Sequence, residues 1–186
     1  EMKLMRDGFG HGLLEAGRKD ERVVALTADL KESTKVNYFA EEFPERFIEI
    51  GVAEQNLVTV AAGMANYGKI PFATSYAIFS PGRNWEQIRT TVAINSYPVK
   101  IIGAQSGLNI GHYGVTHQGL EDIALARVIP NMNVVVPSDY LEAKKATIEM
   151  AKIMEPFYMR LPRVDNPVYT TEKTAFKIGK ANVLTE

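Results

Sequence analysis

The 186-residue chain contains no cysteine, which excludes disulfides and thiolate metal sites and suits a reducing compartment. Histidine is scarce: His11, His112 and His117 are too few and too scattered to read as a zinc site, so no metal ligands are expected in this chain. No apolar run approaches the length of a membrane span, and the N-terminus lacks a secretory leader pattern; the cytoplasm is the expected location. An excess of one charge is missing too. The 21 basic and 22 acidic residues nearly cancel, so neither nucleic acid nor an anionic membrane is indicated as the main partner, and a small anionic ligand would need a local site.

What is present suits a soluble globular protein, with 46% apolar and 23% charged residues, enough for one sizeable core and a piece of a second unit. Apolar spacing predicts a helix from Met5 to Gly17, weakened by Gly10 and Gly12, and then a buried strand over Val23–Thr27. Asp29 stands just past that strand. Ser33 and Thr34 follow in a polar loop, where they either bind an anion or cap the next segment.

Phe47-Ile48-Glu49-Ile50-Gly51 reads as a second strand that turns directly into a helix beginning near Ala53 or Glu54 and ending at Gly68. Glu54 sits at the turn, where the helix dipole favours a carboxylate; it either decorates a helix start or faces a ligand. A third strand, Ile70–Ser75, leads into Tyr76 and Phe79, and Pro81 is expected to open a helix running to about Asn95. Two aromatics at that spacing are either core or a stacking surface for a flat ring.

After a fourth strand, Val99–Ala104, the stretch Gln105–Gly119 reads as one long loop with four glycines, two histidines and a tyrosine. His117 precedes a helix predicted over Leu120–Arg127 and is either structural or a proton-transfer group. A strand over Asn133–Val136, a helix over Tyr140–Met154 capped by Ser138 or Asp139, and a strand over Pro156–Leu161 complete the pattern, with Arg163 just beyond. About six alternations of strand and helix predict a three-layer α/β fold with a mostly parallel, about six-stranded sheet. Right-handed crossovers would then gather Asp29, Glu54, Tyr76, Phe79, the long loop and Arg163 along one rim. From Val164 onward the chain becomes irregular and polar, and Phe176–Leu184 reads as the beginning of another unit.

Assembled in this order, Ala28-Asp29-Leu30, Gly51-Val52-Ala53-Glu54-Gln55-Asn56, Tyr76 with Phe79, Gly114-Val115-Thr116-His117-Gln118, Ile129-Pro130-Asn131-Met132 and Pro137-Ser138-Asp139 closely resemble the pyrimidine-binding domain of transketolase-like, thiamine-diphosphate-dependent enzymes. The resemblance implies that residues 1–163 form that domain and that 164–186 are a linker and the start of the family's third domain. It implies that Glu54 hydrogen-bonds the aminopyrimidine of the cofactor and that Phe79 stacks on that ring with Tyr76 beside it. Val52 would keep the cofactor bent, Asp29 would lie near the thiazolium, and His117 would move a proton at the substrate oxygen. Ser33, Arg163 and Arg6 would bind the sugar phosphate.

The glycine-aspartate-glycine motif that holds the diphosphate and Mg²⁺ (or Ca²⁺) in this family does not occur in the sequence. The resemblance therefore implies a separate N-terminal subunit with the pyrophosphate-binding domain, in a homodimer or heterotetramer, and an isolated chain that is inactive. Substrate residues depart from the common pattern. His112-Tyr113 stand where the family commonly has glutamate-aspartate, and Gln105 stands at a donor-contacting histidine position, which opens the reaction to ketose phosphates other than the usual pentose phosphates. Transfer of a two-carbon ketol unit is the leading expectation. A deoxyxylulose-phosphate-synthase-like subunit using pyruvate, or a non-catalytic assembly or regulatory subunit, are the alternatives.

Overall fold

The computed structural model describes residues 1–183. Six parallel strands form the central sheet in the order β3-β2-β4-β5-β7-β6: β2 is Val23–Thr27, β3 Phe47–Glu49, β4 Ile70–Tyr76, β5 Lys100–Ser106, β6 Asn133–Val135 and β7 Phe157–Pro162. Alternate side chains of each strand enter different cores, as period-two geometry requires. Ile70, Phe72, Ile102, Phe157 and Met159 pack beneath α1 (Met5–Lys19) and α6 (Tyr140–Lys152). Val24, Leu26, Ala73, Ile101 and Tyr158 pack beneath α3 (Glu54–Asn66) and the helical segment that starts at Trp85. The expected three-layer arrangement is present, and burial on both faces explains why the strands read as unbroken apolar runs.

Glycines in α1 do not interrupt it, because they let α6 come close. A Cβ on Gly8 would lie 2.1 Å from the carbonyl oxygen of Tyr140, and one on Gly12 2.7 Å from that of Lys144. Asp139 caps α6 by accepting from the Glu142 N–H at 2.8 Å, while Glu142 accepts from the N–H of Ser138, one residue before the cap, at 2.7 Å.

Four boundaries differ from the sequence reading. A short strand β1 (Met2–Leu4) pairs antiparallel with β8 (Asp165–Pro167), so the first residues after Arg163 fold back onto the N-terminus. Three-residue strands carry too little alternation to be detected. Pro81 does not open a helix. Residues 77–84 form turns, α4 is only Trp85–Gln87, and Ile88–Ala93 continue as wider π-helical turns. The cause is Asn84, whose amide is spent on the Glu54 carbonyl at 2.9 Å and on Ser80 Oγ at 3.1 Å, fixing the turn before the helix starts. Gln105 belongs to β5, and the loop after it is partly ordered as tight helical turns over Leu108–Tyr113. The helix after His117, α5 (Asp122–Arg127), begins later than Leu120.

Residues 168–183 are irregular but tied down. Lys145 Nζ donates to the Thr171 and Thr174 carbonyls at 2.7 Å each, and Phe176 and Ile178 pack against the α1–α6 core. Leu184, the last residue of the expected new unit, lies outside the described residues. No helix among the described residues is long and apolar enough to cross a membrane.

Candidate active site

Apart from Arg6, which lies in the first turn of α1, the site candidates stand at or beyond the carboxyl ends of the parallel strands. The chain leaves β2 toward β3 and leaves β4 toward β5, so the connections diverge between β2 and β4 and open a crevice above them, the usual place for a ligand in an open α/β sheet. Thr27, Glu49 and Thr74 are level across the three strands that border it. Glu49 Oε1 accepts from the Asp29 N–H at 2.8 Å and the Gly51 N–H at 2.9 Å, binding the ends of β2 and β3 together. Asp29 is exposed, with φ 59°, a left-handed conformation that costs a non-glycine residue on the order of 1 kcal/mol and concentrates at functional sites.

Glu54 is the first residue of α3, and its side chain is 1% exposed. Oε1 accepts from buried Ser75 Oγ at 3.0 Å, and Oε2 accepts from Arg83 Nη1 at 2.9 Å. A carboxylate so deeply buried is tolerated because each oxygen has a donor and one donor is cationic. Ser75, Arg83 and Asn84 were not identified from the sequence. The signal for Arg83 was its charge: a carboxylate aimed into a crevice requires a counter-charge, and Arg83 follows Phe79 on the neighbouring turn.

Around this acid the aromatics gather. Tyr76 and Phe79 are stacked with ring centroids 6.2 Å apart, and His117 stands edge-on to both, 5.3 Å from Phe79 and 6.2 Å from Tyr76. His117 Nδ1 lies 2.9 Å from Thr116 Oγ1, which orients the imidazole. Tyr113 is 5.2 Å from His117 and stacked on His112 at 4.6 Å. The loop thus closes over the end of β4, anchored by the Gly107 N–H donating to the Gly119 carbonyl at 2.9 Å. Val52, 69% exposed, stands on the turn immediately before Glu54.

The cationic residues form a second group. The Arg163 guanidinium lies over the Tyr113 ring, 4.7 Å from its centroid, and donates to the Ile110 carbonyl at 3.3 Å. Arg6 is buried and donates to the carbonyls of Ser33 and Arg163. Burial pushes the Arg6 guanidinium below its ordinary pKa, and neighbouring Arg163 adds to the shift. Ser33 and Thr34 hydroxyls both donate to the Leu30 carbonyl, at 3.2 and 2.7 Å, so they brace their own turn and do not cap α2 (Asn37–Glu42). Gln105 is buried, with φ 57° and a side-chain oxygen that has no partner.

Residues 1–167 match the family described as transketolase, pyrimidine binding domain. The chain belongs to the transketolase family. A protein of Methanocaldococcus jannaschii, provisionally named a transketolase C-terminal section, is 47% identical over 186 residues, covering 99% of this chain and 59% of its own length. A protein of Phocaeicola vulgatus, named as one of the subunits of an apulose-4-phosphate transketolase, is 39% identical over 180 residues, covering 96% of this chain and 58% of its own. Among solved structures, a split-gene transketolase described as an inactive β4 tetramer superposes with a TM-score of 0.88 at 41% identity, over 98% of this chain and 58% of that one. The chain spans somewhat more than half the length of these relatives.

The family is one that uses thiamine diphosphate, and the residues fit the ring half of that cofactor: a buried carboxylate and a nearby stacked aromatic pair are the acceptor and the stacking face that a flat aminopyrimidine would use. Among the described residues, no group of three or more His, Asp or Glu side chains is gathered for a metal ion.

Proposed function

We propose that this chain supplies the pyrimidine-binding half of a composite transketolase site that transfers a two-carbon ketol unit from a ketose phosphate to an aldose phosphate. The observation that carries this reading is Glu54, a buried carboxylate held at a strand-to-helix turn against the Tyr76–Phe79–His117 cluster. When bound, thiamine diphosphate supplies the nucleophilic carbon and the electron sink for breaking a carbon–carbon bond beside a carbonyl. Glu54 hydrogen-bonds the ring nitrogen and shares a proton with it, in a place where burial strengthens that bond. Phe79 and Tyr76 offer the ring an aromatic face, Val52 supports its bent form, and Asp29 borders the thiazolium side. His117, oriented through Nδ1, has its other ring nitrogen for a proton on the substrate oxygen.

Arg163, Ser33 and Arg6 bind the sugar phosphate; Arg6 bridges the other two through their backbone carbonyls while its Nε has no protein partner. Tyr113 with His112, and the buried Gln105, shape the donor pocket. The diphosphate and its Mg²⁺ or Ca²⁺ belong to an N-terminal partner subunit carrying the pyrophosphate-binding domain, in a homodimeric or heterotetrameric assembly; the relative named as one subunit of a larger enzyme and the β4 tetramer support this. The cytoplasm is the compartment that the cysteine-free composition favours.

The test is reconstitution of the full-length chain with that partner, followed by assay of xylulose 5-phosphate and pyruvate as separate donors. Turnover of the ketose phosphate with an aldose acceptor is expected. Turnover with pyruvate alone would overturn the reading in favour of a deoxyxylulose-phosphate-synthase-like activity.

A further inference from the structure

Glu54 has one rigid partner and one that can leave. Ser75 lies inside β4 with no exposure, whereas the Arg83 side chain is 48% exposed and stands on a turn. Arg83 makes two contacts in the crevice. Nη1 donates to Glu54 Oε2 at 2.9 Å, and the guanidinium carbon lies 5.0 Å from the centroid of the Phe79 ring. A flat, nitrogen-bearing ring bonded to Glu54 and stacked on Phe79 would require these same two contacts. With Oε1 already accepting from Ser75 inside β4, Oε2 is the oxygen that the departure of Arg83 leaves without a donor for such a ring to bond.

We infer that Arg83 is a place-holder in the ring seat, neutralising Glu54 while the seat is free and swinging into solvent when the cofactor ring enters; this rests on the function proposed above. The exchange is chemically balanced. In the absence of the ring, a buried carboxylate without a counter-ion would be strongly destabilising, and Arg83 removes that cost. Once the guanidinium leaves, Glu54 Oε2 is open to a donor on the ring. Because Arg83 is half exposed, its guanidinium regains water as it moves, which keeps the exchange within reach of ordinary binding energy.

The experiment compares the reconstituted complex with its Arg83→Met and Arg83→Lys forms, titrating thiamine diphosphate with Mg²⁺ by calorimetry and recording thermal unfolding with and without it. Arg83→Met should bind the cofactor about tenfold more tightly, a change of ~1.4 kcal/mol, and should melt lower than the native complex in its absence. Arg83→Lys, which keeps the charge, should resemble the native complex. Equal or weaker binding by Arg83→Met overturns the inference and makes Arg83 a support for the ring. No cofactor binding by the native complex sinks the proposed function, and this inference with it. Where Arg83→Met fails to fold, phenylglyoxal labelling of the native complex decides. Cofactor should increase modification of Arg83, and unchanged or reduced labelling overturns the inference.

Discussion

Glu54 and Asp122 are alike at first sight, for each side chain is 1% exposed and each meets an arginine at 2.9 Å. Their surroundings differ. Asp122 opens α5 and uses one oxygen for two donors, Tyr158 Oη at 2.7 Å and Arg160 Nε at 2.9 Å, both from β7; its other oxygen is buried without a partner. Glu54 has one donor on each oxygen, and its arginine is more exposed than Arg160, 48% against 25%. Behind Asp122 lies packed core: a Cβ on Gly103 would stand 2.1 Å from the Tyr158 hydroxyl. Beside Glu54 lie the rings of the crevice. A buried ion pair that ties a helix to a strand is a clamp, while one that faces a crevice through an exposed cation is a candidate site, and burial alone does not separate them.

The largest expected effect would sharpen that contrast. Glu54→Gln in the reconstituted complex should lower kcat by about 100-fold or more, the usual loss of a proton-sharing carboxylate, with little change in unfolding free energy. Activity near the native level would put Glu54 in the same class as Asp122. Next, Asp122→Ala should cost roughly 3 kcal/mol of stability in urea titrations, because it leaves Arg160 and Tyr158 without their acceptor, while the folded fraction keeps most of its turnover. A collapse of kcat without loss of stability would break the comparison. A smaller step is Tyr158→Phe, which should cost ~1–2 kcal/mol by removing one donor to a buried carboxylate. Burial first, and then Asp122, holds the Tyr158 hydroxyl protonated well above the ordinary tyrosine range, so its donor role should persist at every pH where the fold survives.

A last comparison concerns a third buried charge, at the opposite end of the sheet. Lys100 Nζ donates to the Ile153 and Glu155 carbonyls at 2.6 Å each, and burial lowers its pKa to about 7, only partly opposed by Glu155. A lysine with a depressed folded-state pKa binds its proton more weakly in the folded chain than in the unfolded one. Its destabilising effect is therefore full below about pH 7 and fades as pH rises toward the ordinary lysine value. Denaturant titrations of native and Lys100→Met chains should show the native chain gaining on the variant across that window. Parallel curves would mean that Lys100 stays charged throughout, held by its two carbonyls.

Much of the architecture was legible in the residues. Val23–Thr27, Ile70–Ser75 and Val99–Ala104 announced buried parallel strands because both faces are covered, and Glu54 was legible as a turn residue because a strand stops at Gly51 directly before helical spacing begins. Pro81 misled, because Asn84, three residues later, engages the Glu54 carbonyl from across the crevice and postpones the helix. Gln105 misled because β5 carries two polar residues, Gln105 and Ser106, beyond its apolar run. β1 and β8 escaped notice because each is three residues long and finds its partner more than 160 positions away.

By itself the sequence determined the alternation of strands and helices and hence which residues stand at strand ends, since periodicity and turn chemistry are local and the handedness of crossovers is general. The order and spacing of Asp29, Glu54, Tyr76, Phe79 and His117 carried the family. Only the tertiary structure decided how the charges pair: that Glu54 meets Arg83 and Ser75, that Arg6 bonds the carbonyls of Ser33 and Arg163, and that Asp122 clamps α5 to β7. Those pairings join residues from different strands and loops at distances of about 3 Å, and no local spacing encodes them, because they depend on which side chains the packed sheet brings face to face.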